Sequence, residues 1–597
     1  LFHFEEKHIL KTIFPCPHKS LLVGVFLIVA HCSFPLLLFS QTTTNTLIPE
    51  MELKALVRDV LFKIKRPNRS NTALFEQIFL KTHASPNSEV LSREFMFTEG
   101  EEVPPSYIVQ SARHLEQMKI YRSVKFAFDT TRAKRLDVRI SLDERPNTAP
   151  FLIAETGGGV GSFGVGADIA SLGGTATHLR ASAEYRTVNA IGWQGSLELE
   201  TRRLWDWFNL RIHGMAHKYR NEQEIELEFP YSADSPYFEA SLLFSRSGGQ
   251  EFWYTPKSAP MLDGAFLEAA PFELMNFTSN RFSAFGAVRG WNWDNEFFLM
   301  GNIIADGTFR ADSTRRRVGD NAFVWHIGLG IERRTLELPQ QNIDWTRFGT
   351  PVQGWYVHGW LGVMTSPSFT ALPNAGSLTW LFRGGVKGCL GNNLYASFDA
   401  EGSGWRADFW NHNNLFGYFT SNYVRCLGAL HWAIMKDMVL ANRMELEGAS
   451  SPLRPMHGAG RLNFIRGFGV NTLLGNMLFL AQTELRGIPI AEVGVYALQG
   501  AVFAEFGSSS GLWNIPRNSQ PSLVNVGLQQ LFSCGAGLRL KYPSFSGEQG
   551  TLRLDLAYLP VLGRFGQVII STQEAFSLFE DIPAKQARLL NDQRWIE

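Results

Sequence analysis

The sequence predicts a transmembrane antiparallel β-barrel of sixteen strands, preceded by one small α+β domain. Three observations carry this. Segments of about ten residues, apolar on one face and polar or charged on the other, recur between Phe151 and Phe576. That alternation marks strands with one side in lipid and the other in a polar lumen. The chain has 54 glycines and 13% aromatic residues, a mixture that suits strands and tight turns better than helices. Its long apolar run lies near the beginning, at residues 21–38, so no set of apolar helices is available to cross a membrane.

Lys7, Lys11 and Lys19 precede that run, and Phe39-Ser40-Gln41 and a threonine tract follow it. This order predicts a secretory signal peptide over residues 1–41. Residues 42–73 read as a linker, within which IPEMELKALVRDVLFKIKR (48–66) has room for a helix. Cys16 and Cys32 leave with the signal. Cys389, Cys426 and Cys534 remain, scattered and odd in number, and form neither a disulfide framework nor a metal-ligand spacing.

Residues 74–147 mix helix and strand. A strand is predicted over 74–81, and Ser85-Pro86 opens a helix. Ser106 caps a second helix with Ile108, Ala112 and Leu115 on one face. Val124, Phe126 and Phe128 alternate as one strand. Leu136, Val138, Ile140 and Leu142 alternate with Asp137, Arg139, Ser141 and Asp143 as the next. Strand, helix, helix, strand, strand is a small α+β module with one sheet face to cover.

The barrel is predicted over 148–576. Trp193, Gly195, Leu197 and Leu199 face one way, and Gln194, Ser196, Glu198 and Glu200 the other. Leu552, Leu554, Leu556 and Tyr558 repeat the pattern around Arg553 and Asp555; Tyr496, Leu498, Val502 and Phe506 do so opposite Gln499 and Glu505. Counting by period gives about nineteen candidate strands. Bacterial barrels have an even number, so some candidates are loops or hairpins folded over the mouth. Residues 577–597 form a polar C-terminal tail.

Several function classes are excluded. With 56 basic and 56 acidic residues, there is no electrostatic footprint for nucleic acid. Gly159, Gly161 and Gly164 match a dinucleotide fingerprint, but a strand-like segment follows them where a helix is required, so they mark a hairpin. No H-E-x-x-H, G-x-S-x-G or P-loop is present, and the fourteen histidines show no ligand spacing. The protein is therefore expected to be no enzyme and to carry no cofactor or metal. Arg315-Arg316-Arg317 reads as a solvated turn.

The stretch Asn463-Phe464-Ile465-Arg466-Gly467-Phe468-Gly469 stands out. An arginine between an isoleucine and a Gly-Phe-Gly turn has apolar neighbours that favour burial, while its guanidinium needs carboxylates. Two strand-like segments follow, LAQTELRGIP with Glu484 and GAVFAEFG with Glu505. Motif, acids and strand order over residues 438–576 resemble the BamA/TamA family of POTRA-plus-barrel proteins.

In that family an Arg-Gly-aromatic motif tips a long loop that folds back into the lumen and meets acids on two adjacent strands. The resemblance implies that Arg466, Gly467 and Phe468 are the tip and that Glu484 and Glu505 are its partners. The family has aspartate at the second acid, where Glu505 is one methylene longer. The 74–147 module resembles a POTRA domain. The family's last strand ends the chain on an aromatic, for which Phe576 is the candidate. The resemblance further implies outer-membrane lipid, unfolded protein clients and accessory lipoproteins as partners. It places the barrel in the outer membrane of a Gram-negative bacterium and the POTRA domain in the periplasm. Assembly of outer-membrane proteins is the expected function, and two-partner secretion of one dedicated exoprotein is the alternative.

Overall fold

The computed structural model describes residues 55–65, parts of 91–144, and from residue 147 to 571 the strands, most short turns and parts of the long loops. The chain divides into two compact units, 1–53 and 54–597, and every described residue belongs to the second. The expected signal peptide, the 74–81 strand, the Ser85-Pro86 helix start, Arg315, Arg316, Phe576 and the tail lie outside the described residues.

A mixed four-stranded sheet comes first, built from β1 (Ala55–Lys65), β2 (Glu102–Val103), β3 (Tyr121–Asp129) and β4 (Arg135–Glu144). Its order is β2-β1-β4-β3, with β1 parallel to β4 and β3 antiparallel to it. A parallel pair needs a long crossover, and the chain between β1 and β3 contains α-helical residues Leu91, Ser111, His114 and Leu115. Leu91, Leu115, Met118, Ile140 and Leu142 are all buried.

At residues 55–65 this corrects the reading of the 42–73 region as a linker and of the 48–66 stretch as a possible helix. In ALVRDVLFKIK, Val60, Phe62 and Ile64 fit a period of two, while Val57, Val60, Leu61 and Ile64 fit a helix equally well. Pairing with β4, far away in sequence, decides it.

The barrel begins with β5 (Thr148–Gly157), β6 (Val160–Ile169), β7 (Thr177–Arg186), β8 (Gly192–Leu204), β9 (Phe208–His217) and β10 (Arg220–Phe229). Longer strands follow: β11 (Phe238–Tyr254), β12 (Phe272–Asn292), β13 (Asn295–Ala311) and β14 (Arg317–Leu336). Next come β15 (Val352–Thr365), β16 (Gly376–Cys389), β17 (Leu394–Ala407), β18 (Phe419–Ala433) and β19 (Val439–Ala449). The last part holds β20 (Met477–Val493), β21 (Tyr496–Ser510), the separate hairpin β22 (Leu512–Arg517) and β23 (Gln520–Asn525), then β24 (Gln529–Pro543), β25 (Gln549–Leu559) and β26 (Arg564–Ser571).

Among the described residues, twenty strands close into one antiparallel barrel, four more than expected. The excess has a simple cause: reducing the periodic segments to sixteen treated true strands as loops, whereas among the described residues after β4 only β22–β23 forms a hairpin outside the barrel. Gly157 and Gly161 lie on the paired strands of the β5–β6 hairpin, as Gly161↔Thr156 and Gly157↔Val160 show; Gly159 lies outside the described residues.

The two faces differ as the alternation requires. Trp193, Leu197, Leu299, Leu329 and Leu361 are each more than half exposed, while their neighbours Gln194, Met300 and Trp360 are buried on the inner side. Aromatic side chains meet at both ends: Phe229 contacts Trp207 and Phe238 at one rim, and Tyr185 meets Trp193 at the other. An exposed apolar band with aromatic residues toward its ends is the pattern of a wall that faces lipid. Most connections at the β5-start end are short, with two residues between β12 and β13 and three between β8 and β9, although fifteen residues join β14 to β15 there; the long 450–476 and 511–528 connections lie at the opposite end.

Closure is uneven. β5 and β6 pair at ten positions, whereas β26 meets β5 only through Ile570↔Thr156 and Ser571↔Glu155 among the described residues.

Candidate functional site: an arginine bound inside the barrel

The site is set by register. Glu484 on β20 pairs with Phe503 on β21, Phe503 with Gly535 on β24, and Gly537 with Asp555 on β25. Paired residues present the same face, and residues two apart on a strand share it. Glu484, Phe503, Glu505, Arg539 and Asp555 therefore all stand on one patch of the inner wall.

The tip of the 450–476 loop enters this patch. Ile465 and Phe468 are buried with Tyr423, Leu473, Leu478, Leu480, Leu531 and Leu559, an apolar cluster that anchors the tip. Between them the backbone turns tightly, and the Phe468 N–H donates to the Ile465 carbonyl at 3.3 Å. Gly467 has φ +90, and a Cβ there would lie 2.9 Å from the Ala557 Cβ. A side chain is excluded twice, by conformation and by space. Gly566 on β26 makes the reciprocal approach: a Cβ on it would stand 2.7 Å from the Gly467 Cα.

This turn delivers Arg466, which is fully buried. Its Nε donates to Glu505 Oε1 at 2.7 Å, Nη1 to Asp555 Oδ2 at 2.9 Å and Nη2 to Glu484 Oε2 at 2.8 Å. Its backbone N–H donates to Glu505 Oε2 at 2.6 Å. The guanidinium carbon lies 3.5 Å from the centroid of the Phe503 ring, so one face is stacked while the edges bind acids. A planar five-donor fork suits three carboxylates in a way an ammonium does not.

A second arginine completes the network. Arg539 Nη2 donates to Glu484 Oε1 at 2.8 Å and its Nη1 to Asp555 Oδ1 at 2.5 Å. Arg466, Glu484, Arg539 and Asp555 thus form a closed ring of alternating charge. Gln482 Nε2 donates to Glu505 at 3.1 Å, and Arg553 Nε lies 3.3 Å from Asp555 Oδ2. Three arginines contact three acids, and Arg486 acts on Glu484 from two residues along β20, so every buried carboxylate has a cation beside it. Pairing of this kind is what allows ions to persist out of water.

All five residues singled out in the sequence, Arg466, Gly467, Phe468, Glu484 and Glu505, occupy this place. Asp555, Arg539 and Phe503 were not assigned to it. The alternation of β25 does put Asp555 on the polar face, but nothing local connects it to Arg466. The network offers no nucleophile or proton-transfer arrangement; it joins a loop to the wall.

No family profile matches the chain, and no curated protein does. Among solved structures, the chain is similar to BamA from Haemophilus ducreyi lacking POTRA domains 1–3, at 12% identity over 86% of this chain and 84% of that one, with a TM-score of 0.36. It is similar to CdiB from Escherichia coli at 11% identity, over 86% and 76%, with a TM-score of 0.38. It is also similar to BauA, the ferric preacinetobactin receptor from Acinetobacter baumannii, at 9% identity, over 73% and 82%, with a TM-score of 0.36.

Proposed function

We propose that this protein is an outer-membrane barrel of the BamA/TamA type that inserts or translocates other proteins, without bond chemistry of its own. The observation that carries the reading is the Arg466-Gly467-Phe468 tip seated against Glu484 and Glu505 on adjacent strands. That is the arrangement the sequence motif implies, reached here through side-chain geometry. The two longest connections, 450–476 and 511–528, lie at the end opposite the N-terminal module, which fits a periplasmic module, since bacterial barrels keep their longer loops on the outer side.

The module's sheet supports reception of an extended client. β2 covers part of the outer edge of β1, whereas β3 is an edge strand of nine residues. An open edge can pair with an added strand through main-chain hydrogen bonds. The short β26–β5 pairing supports a seam through which client strands leave or join the wall.

A two-partner secretion translocator is the second reading, and the same site fits it. Depletion followed by an outer-membrane proteome separates the two. Broad loss of barrel proteins supports assembly, loss of one secreted protein supports translocation, and an unchanged proteome and secretome would remove both. Deleting residues 54–144 is expected to leave a barrel that shifts on a gel between unheated and boiled samples but assembles no client. Full activity of that variant would mean the module receives nothing.

A further inference from the structure

Two consecutive arginines on the inner wall hold a carboxylate that belongs to the N-terminal module. β8 pairs regularly with β9 as far as Thr201↔Leu210, then jumps to Leu204↔Phe208. Arg202 and Arg203 occupy the bulge. Neighbours in a regular strand point to opposite faces, so only a bulge can turn both toward one partner. Arg203 has φ +53, the one left-handed non-glycine residue among those described. L residues keep that conformation where the surroundings impose it. The imposition is visible: the Arg203 N–H donates to Asn209 Oδ1 at 3.0 Å, and Asn209 Nδ2 donates to Glu228 Oε2 at 2.9 Å.

The held group is Glu94, which is fully buried. Arg202 grips both its oxygens, Nε to Oε1 at 3.3 Å and Nη2 to Oε2 at 3.1 Å, and Arg203 Nε lies 3.7 Å from Oε1. Two residues on, Met96 joins the apolar lumen cluster of Phe285, Phe298, Met300, Val324 and Trp360 on β12 to β15. The same short segment therefore touches two walls, β8 through Glu94 and the β12–β15 side through Met96. The helical residues behind it brace it: the Met96 N–H donates to Ser111 Oγ at 2.9 Å, and His114 Nδ1 donates to the Glu94 carbonyl at 3.0 Å.

We infer that the β8 bulge is a carboxylate-binding site whose resident ligand is Glu94, and that this contact seats residues 94–97 in the lumen and keeps the resting barrel shut. Opening then requires Glu94 to leave Arg202 and Arg203. The inference rests on the membrane-barrel reading but on no particular client. Two titratable groups tune it. Burial pushes the Glu94 carboxyl up, but Arg202, Arg203 and His114 outweigh this and hold it below its ordinary value, so it stays charged. Burial, with Arg202 and Arg203 adding to it, pushes His114 down to about 4 despite Glu94 beside it. Arg202 and Arg203 press on His114 only when the segment is docked, so the undocked segment takes up a proton on His114 at a higher pH than the docked one, which stays neutral until about 4. Docking therefore weakens as pH falls toward that value.

Single-channel recording of the full-length protein in a planar lipid bilayer tests this. Glu94→Gln is expected to raise the open fraction about tenfold, and Arg202→Gln/Arg203→Gln to match it. The triple variant should open no further than either. For the parent, opening should increase from pH 7 to pH 5, and His114→Gln should flatten that response. Unheated gels establish that each variant is folded. A folded Glu94→Gln protein as closed as the parent overturns the inference, as does a triple variant whose effects simply add. A loss of client assembly without any change in conductance also counts against it, because the module would then act only outside the lumen.

Discussion

Arg466→Ala is expected to leave the barrel in the membrane and to unseat the tip of the 450–476 loop. The strands do not rely on the loop for their hydrogen bonds, whereas the loop relies on Arg466 for four. Three of those come from the side chain and are lost. Glu484, Glu505 and Asp555 are then left in contact with Arg539 and Arg553, one positive charge fewer than before. Breaking a buried pair costs about 3–5 kcal/mol. Arg466→Lys should recover only part of this, because one ammonium cannot span three carboxylates and stack on Phe503 at once.

Protease cleavage within residues 450–476, measured on folded protein, reads the seating directly. Arg466→Ala should be cut much faster than the parent while its unheated gel mobility is unchanged. A double-mutant cycle with Glu484→Gln should give a coupling of roughly 1–3 kcal/mol. Strict additivity would mean that the two groups do not meet, and equal protease resistance would mean that the apolar cluster alone seats the loop.

Much of this was legible in the chain itself, for identifiable reasons. Strand alternation survives without an alignment because lipid and lumen impose opposite chemistry on neighbouring residues, as at Trp193 and Gln194. Arg466 stood out because a charged residue between Ile465 and a Gly-Phe-Gly turn has no local use. Asp555 and Arg539 did not, because the lumen is full of similar residues: Glu198, Asp399 and Glu445 also face inward. Only the register from β20 through β25 shows which of them converge. The part played by Glu505 is likewise visible only in the contacts. A motif match favours Glu484, yet Glu505 binds both the side chain and the backbone of Arg466.

The other misreadings share that cause. β1 was placed in a linker because its partner, β4, lies some seventy residues further on, and periodicity within eleven residues is ambiguous. Glu94 carries no local signal, and its partners lie more than a hundred positions away. The strand total fell short because the even-number rule was met by removing candidates from nineteen, whereas adding one gives the observed twenty. Local chemistry specified the faces and the odd arginine; contacts between distant segments specified the network.

Asp555→Asn is expected to be at least as damaging as Arg466→Ala. Asp555 accepts from Arg466 and Arg539 and lies beside Arg553, so it serves three guanidiniums. Asparagine keeps the shape but turns one acceptor into a donor facing another donor. Three buried arginines would then share two carboxylates. By the same reasoning as for a broken buried pair, the loss should reach about 3–5 kcal/mol, seen as a lower temperature of barrel unfolding on semi-native gels.

The remedy distinguishes net charge from hydrogen-bond geometry. Arg553 is fully buried, holds Asp555 only through its Nε at 3.3 Å, and has no hydrogen-bond partner at Nη1 or Nη2. Arg553→Gln alone should therefore be tolerated far better than Asp555→Asn. In the double variant, Arg466 and Arg539 again face two acids, Glu484 and Glu505, and the contacting charges balance. Asp555→Asn/Arg553→Gln should recover about 1–2 kcal/mol relative to Asp555→Asn, a coupling of the size seen between residues of one network. If the double variant is no more stable than Asp555→Asn, the bonds to Asp555 matter and the charge balance does not. If Arg553→Gln is as damaging as Asp555→Asn, then Arg553 holds the wall through a contact other than Asp555, and the three-against-three arrangement is not what stabilises the site.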